Sequence, residues 1–262
     1  MKCLYNGTIL VNNEALEGKA LLYDSKIIDI VDEDEGLLKA TEKIDVGGCY
    51  ISPGFVDIHI HGYDGVDTMD GGVEVIQTIA KGIASNGVTS FLPTTMTMSK
   101  EDIDIALQSI REARKISLQG AEILGAHMEG PYLNIKFKGA QNEVYFQTPD
   151  SEYVKENKDV IRHITMSPEI EGAMDFIKDI KEHTDISLSI GHSGATFEEA
   201  VAGIKAGINH VTHLFNAMSP LHHREPGVVG ATLASDVSCE IICDTIHVHP
   251  GLFKLISNVK GP

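Results

Sequence analysis

From Tyr50 onward the chain repeats one pattern: a β-type apolar run, a glycine-containing or polar loop, then a stretch with helical spacing. That repetition constrains the fold strongly, because parallel strands need a crossover to return the chain to the same end of the sheet, and a helix is the usual crossover. Strand candidates are residues 50–60, 88–93, 122–128, 161–166, 186–190, 209–214 and 239–243. Between them, Ser99 with Asp102 and Thr196 with Glu199 have the spacing of a helix-opening capping box. Asn86-Gly87 and Ala206-Gly207 supply helix stops. The first 50 residues differ: apolar runs at 8–11, 20–23 and 26–31, broken by Asn12-Asn13, Gly18 and Asp24-Ser25, predict strands and hairpins of a small β element.

Seven strands alternating with helices fit an open doubly wound sheet or a closed eight-stranded barrel with one stave missing. No GxGxxG or P-loop follows the first strand, which lowers the nucleotide-binding option. We expect an α/β chain in two parts: residues 1–50, a portion of a small β domain, and residues 51–262, an incomplete TIM-like (β/α)8 barrel. In such a barrel, reactive side chains gather at the C-terminal ends of strands.

Several polar residues close these strands. In Asp57-Ile58-His59-Ile60-His61 the two-residue period puts Asp57, His59 and His61 on one face, where two imidazoles can converge on one ion. An isolated HxH is more often one core and one loop histidine. Glu129 ends the third strand, where an ordinary capping or salt-bridged acid is an equal alternative. His192 ends the fifth and His213 lies in the sixth; each alone reads as well as a buried, hydrogen-bonded histidine. Five such groups on four strand ends are hard to explain as independent structural residues, so together they predict a metal site. Histidine and carboxylate without cysteine suit Zn²⁺, Fe²⁺, Mn²⁺ or Co²⁺.

Lys+Arg 21 against Asp+Glu 38 gives a net charge of -17, which repels nucleic acid and anionic membranes while leaving a small anionic substrate open. Cys3, Cys49, Cys239 and Cys243 form no CxxC and are too sparse for a disulfide scaffold. With no signal-like or membrane-length apolar run, the expected location is the cytoplasm.

Several blocks in one order now make the chain resemble a known family, the N-acetylglucosamine-6-phosphate deacetylases of the amidohydrolase superfamily. They are Pro53-Gly54-Phe55-Val56-Asp57-Ile58-His59-Ile60-His61-Gly62, His127-Met128-Glu129-Gly130-Pro131, Gly191-His192-Ser193, Thr212-His213-Leu214-Phe215-Asn216-Ala217-Met218 and Arg224-Glu225-Pro226-Gly227. The HxH opening is shared across the superfamily; the last two blocks are more specific. The resemblance implies that Glu129, His192 and His213 hold a principal divalent ion and that His59 and His61 hold a second with Glu129 as bridge, one or two ions per subunit. It implies a phosphorylated amino-sugar substrate contacted by Ala140, Gln141, Asn216, Ala217, Arg224 and His247, with His247 serving a neighbouring subunit of a homodimer with shared active sites. A guanidinium at Arg224 suits a phosphate. Gln141 stands where some relatives place a histidine, so it can donate a hydrogen bond but not titrate. His222-His223 matches nothing in the family and reads as solvated loop.

The implied acid/base aspartate falls beyond Pro262, and neither Asp57 nor Asp244 occupies its place. We therefore expect little or no deacetylase activity from these 262 residues alone, and exposed strand edges. Two competing readings are a dihydroorotase-like or deaminase-like amidohydrolase, and a metal-loaded phosphosugar-binding protein without turnover.

Overall fold

Strand–helix alternation takes the form of a curled parallel sheet in the computed structural model, which describes residues 1–116 and 119–261. Pro262, the expected end of the barrel part, lies outside the described residues. The chain divides into two compact units, Met1–Phe55 and Val56–Pro262.

The first unit contains β1 (Lys2–Tyr5), β2 (Thr8–Val11), β3 (Glu14–Leu16), β4 (Lys19–Tyr23), β5 (Ile27–Asp32), α1 (Glu33–Lys39), β6 (Glu42–Asp45) and β7 (Tyr50–Ile51). They form two sheets, ordered β5-β4-β1-β6 and β3-β2-β7. Ala20 and Leu22 alternate inward along β4 and meet Cys3, Val31 and Ala40 in a small core. Asn12 and Asn13 turn the β2–β3 hairpin at φ of 51° and 62°, the left-handed pair that a two-residue hairpin loop requires.

The second unit runs β8 (Phe55–Ile60), a small hairpin of β9 (Gly62–Tyr63) and β10 (Val66–Asp67), α2 (Val73–Ala84), β11 (Val88–Thr95), α3 (Lys100–Ala113), β12 (Glu122–Ile123) and β13 (Ala126–Glu129). It continues with α4 (Ser151–Glu156), β14 (Ile161–Met166), α5 (Ala173–His183), β15 (Ser187–Ile190), α6 (Phe197–Ala206), β16 (His210–Val211), α7 (Gly227–Leu233), β17 (Ser238–Cys239) and α8 (Phe253–Lys260). Hydrogen bonding runs β8-β11-β13-β14-β15-β16-β17, with β12 also on β11. Strand order thus follows chain order without a reversal, which selects the barrel alternative over the doubly wound one. β12 and β13 are one interrupted stave: both pair in parallel with β11, and Gly125 between them has φ of 155°. A Cβ there would meet the Val160 carbonyl oxygen at 2.5 Å.

Helix α3 shows why the helices dock as they do. Ile103, Ala106, Leu107, Ile110 and Ala113 recur at helical spacing and are fully or almost fully buried. The Ser99 hydroxyl accepts from the Asp102 N–H, and Thr196 and Glu199 form a reciprocal capping box on α6.

Several strands differ in length from the sequence expectation. The run 50–60 is broken at Pro53-Gly54, so Tyr50–Ile51 pairs with β2 while Phe55–Ile60 pairs with β11. Regular pairing in 209–214 is confined to His210–Val211, because His213, Phe215 and Ala217 take φ of 30°, 81° and 50°, incompatible with an extended strand. The last stave is Ser238–Cys239 rather than 239–243.

Candidate metal centre

Glu129, at the end of β13, is 2% exposed and is the hub of the site. Its Oε1 lies 3.1 Å from His192 Nε2, 3.2 Å from His213 Nε2 and 3.5 Å from His59 Nε2, and its Oε2 lies 3.2 Å from His61 Nε2. The expected strand-end cluster is therefore brought together by the fold. Two overlapping trios result, His59–His61–Glu129 and Glu129–His192–His213, with ligand atoms within 4.8 Å of one another in each. His192 and His213 reach the site from turns that follow β15 and β16, at φ of 49° and 30°, backbone strain of the kind concentrated at functional sites.

The donor chemistry fits a divalent cation. His192 Nδ1 donates to the Phe137 carbonyl at 3.0 Å, which leaves the lone pair on Nε2. That Nε2 lies 3.1 Å from a carboxylate oxygen and 3.2 Å from the His213 Nε2, a gathering of lone pairs that a proton or a cation among them makes favourable. Titration points the same way. Burial opposes ionisation of Glu129, yet hydrogen bonds from His192, His213, His59 and His61 hold it well below the usual carboxylate range. Burial also opposes the charged His59 ring, but Glu129 and Glu240 outweigh it and raise the pKa to about 10. A proton and a metal ion compete for the same lone pairs in such a place.

Glu240 was not anticipated from sequence. It follows β17, accepts from His59 Nδ1 at 3.1 Å, and lines the same cavity. The signal was available, since Glu240 interrupts an otherwise apolar run, Cys239-Glu240-Ile241-Ile242, as Glu129 does its own.

That cavity, of about 560 Å³, is lined by Asp57, His59, His61, Glu129, His192 and His213, together with Ala140, Gln141 and His247. Gln141, read as a donor to substrate, is 4% exposed and spends its amide on the protein: Nε2 donates to Glu129 Oε2 at 2.7 Å, and Oε1 accepts from the Thr97 N–H at 2.7 Å. His247 is exposed at the cavity, with Nδ1 donating to Asp244 Oδ2 at 2.6 Å. Asn216 donates to the His213 and Leu214 carbonyls at 3.4 Å, and Ala217 is half-buried beside it. Arg224 lies apart, exposed in a groove of about 490 Å³ with His222, Glu225 and the start of α6, its Nη1 2.9 Å from His223 Nε2.

Residues 50–260 match the amidohydrolase family. The chain is similar to the N-acetylglucosamine-6-phosphate deacetylase of Bacillus subtilis (strain 168), at 38% identity over 97% of this chain and 66% of that protein. It is 36% identical to the enzyme of the same name from Lysinibacillus sphaericus, over 91% of this chain and 62% of that one. The crystal structure of N-acetylglucosamine-6-phosphate deacetylase from Pasteurella multocida superimposes with a TM-score of 0.92 at 36% identity, covering 99% of this chain and 69% of the other. The chain thus spans 66% and 62% of the length of the first two relatives.

Proposed function

The chain belongs to the amidohydrolase family, and from that premise we propose that its site serves hydrolysis of the acetamide of N-acetylglucosamine 6-phosphate to glucosamine 6-phosphate and acetate. The observation that carries this reading is the convergence of two histidine pairs, from the end of β8 and the residue after it and from the turns after β15 and β16, on the single buried carboxylate of Glu129.

In this reading His192, His213 and Glu129 would hold a principal divalent ion, and His59 and His61, with Glu129, would hold a second. What a divalent ion supplies there is Lewis acidity, which polarises an amide carbonyl and lowers the pKa of a water. The protein's part is orientation. Phe137 fixes the His192 ring, and Gln141 fixes the plane of the Glu129 carboxylate from the side opposite His192. The sugar is proposed to lie against Ala140 and the Asn216-Ala217 turn, with its phosphate met by Arg224 and by His247 of a neighbouring subunit in a homodimer. Arg224 supports this as an exposed cation in a chain of net charge -17.

Among the described residues, the carboxylates lining the cavity are Asp57, Glu129 and Glu240, and each already holds a hydrogen bond, Asp57 from the His59 N–H at 3.0 Å. We propose that these residues bind ion and phosphosugar, and acetate release measures whether any of these carboxylates also moves a proton in turnover. No helix among the described residues is long and apolar enough to cross a membrane. A cytoplasmic location is proposed on the four free cysteines.

Calorimetry of the metal-loaded chain with N-acetylglucosamine 6-phosphate, with acetate measured in the same mixture, tests the reading. Saturable binding that is lost on removing either the phosphate or the metal supports it. Absence of binding, with hydrolysis of a cyclic amide instead, overturns it.

A further inference from the structure

We infer that Glu240 is a positioning residue that sets the His59 ring for the second divalent ion, tying the last strand of the curled sheet to the first. The inference rests on the reading that the cluster around Glu129 holds divalent cations, and it adds a residue to that site.

His59 lies in β8 and Glu240 directly follows β17, at opposite ends of the sheet's pairing order. No ladder joins these two strands in that order, yet Glu240 Oε1 accepts from His59 Nδ1 at 3.1 Å. An imidazole that donates through Nδ1 presents its lone pair at Nε2 once an ion has displaced the Nε2 proton. Nε2 is the atom that faces Glu129, at 3.5 Å. The carboxylate therefore selects the tautomer in which His59 can be a ligand.

The support is rigid at both ends. The Glu240 N–H donates to the Val211 carbonyl at 3.1 Å, and the Glu240 carbonyl accepts from the Leu214 N–H at 2.8 Å, so both of its backbone polar groups are fixed to the sixth stave and the turn after it. The His59 ring packs edgewise against His61 and His127, with centroids 5.3 and 4.7 Å apart. The other subsite does not depend on this strap, because His192 is oriented by the Phe137 carbonyl. His61 has no equivalent: its buried Nδ1 has no hydrogen-bond partner among the described residues. Of the histidine pair at the end of β8, His59 is thus the one held by a hydrogen bond, and that bond comes from Glu240, so its loss affects one ion and spares the other.

The test is calorimetric titration of the chelator-treated full chain with Zn²⁺, comparing wild type with Glu240→Ala, Glu240→Met and Glu240→Gln. Wild type takes two ions. Removing the acceptor in the Ala and Met variants weakens one of them about 10- to 100-fold and leaves the other unchanged, the usual size of an effect transmitted through a ligand's hydrogen-bond partner. Glu240→Gln keeps an acceptor oxygen and restores most of the affinity. In the Zn²⁺-loaded protein, long-range ¹H–¹⁵N spectra show His59 protonated on Nδ1, with its signal identified by its absence in His59→Asn, and that proton exchanges faster in Glu240→Met. The Met variant preserves side-chain length, so it carries the test if the Ala variant does not fold. Equal weakening of both ions, no weakening of either, or a wild type that takes a single ion overturns the inference. A wild type that takes no ion overturns the metal reading itself.

Discussion

The histidines at the mouth of the curled sheet and those directly beneath them place the same ring in opposite electrostatic surroundings. At the mouth, His59 is raised to about 10, because the Glu129 and Glu240 carboxylates outweigh its burial. One layer down, burial and then the charge of His210 lower His163 to about 3, and burial holds His127 well below its ordinary value. The rings form a continuous column, with centroids 4.7 Å apart from His59 to His127, 4.5 Å from His127 to His163 and 5.4 Å from His163 to His210. Depth alone does not account for the contrast, since the His59 side chain is itself only 13% exposed. What separates His59 from the column is the closeness of its carboxylates: Glu240 at 3.1 Å and Glu129 at 3.5 Å outweigh burial, whereas His210 has Glu240 at 3.9 Å and burial prevails.

Removing the Glu129 carboxylate should narrow the difference, and it is the largest effect expected. Glu129→Gln takes the charge from between four imidazoles. The variant should retain no divalent ion after dialysis, measured by elemental analysis, while wild type retains its complement. Retention of wild-type metal content by Glu129→Gln would show that the histidines suffice and that the carboxylate is not the hub.

Metal itself sharpens the contrast next. An ion bound only by the folded chain stabilises it by RT ln(1 + [L]/Kd), about 4 kcal/mol at a thousandfold excess over Kd. At roughly 2–4 °C per kcal/mol for a chain of this size, melting should rise by about 8–16 °C between chelator and saturating Zn²⁺. In Glu129→Gln the two melting curves should coincide.

The mouth was largely legible in the sequence and the column was not. Period-two spacing in β8 and polar residues closing apolar runs at Glu129, His192 and His213 are local signals, and the curled sheet needed only to bring strand ends together. His163 and His210 carry no such signal, because an inward-facing histidine in a strand buried on both faces is defined by partners on neighbouring staves. Glu240 had a local signal but no meaning until His59 was placed across the sheet from it. The overlong strand expected at 209–214 failed for a related reason: Thr212, Leu214 and Phe215 read as β residues, but the backbone turns at His213.

Acid should expose the interior column. With its folded pKa lowered from 6.5 to about 3, His163 binds fewer protons folded than unfolded between those values. Its contribution to stability is fully present above the unfolded value and is lost as pH falls through this window. From pH 7.5 to pH 5 the loss from this one group is about 2 kcal/mol. Urea unfolding of His163→Gln should therefore fall less steeply with acid than wild type by that amount, and parallel pH profiles would refute a neutral interior.

The smallest effect concerns the direction of the hydrogen bonds that keep the interior neutral. The Ile58 carbonyl can only accept, so His127 donates to it through Nδ1 at 2.9 Å and must accept at Nε2. Thr165 therefore donates to His127 Nε2 at 2.7 Å, Thr212 donates to Thr165 at 2.7 Å, and Ser189 donates to Thr212 at 2.5 Å. One carbonyl thus orders the hydroxyls of β14, β15 and the turn after β16 and fixes the tautomer of His127. Thr165→Val preserves shape but leaves a buried ring nitrogen and a hydroxyl without their partner. It should cost about 1–2 kcal/mol in urea unfolding, within the range for an unsatisfied buried polar group. Thr165→Ser should recover most of that loss, and neither variant should change the number of ions bound, because the relay ends at the Ile58 carbonyl and does not reach the Glu129 carboxylate. A change in metal content in Thr165→Val would mean that mouth and interior are one electrostatic unit rather than two.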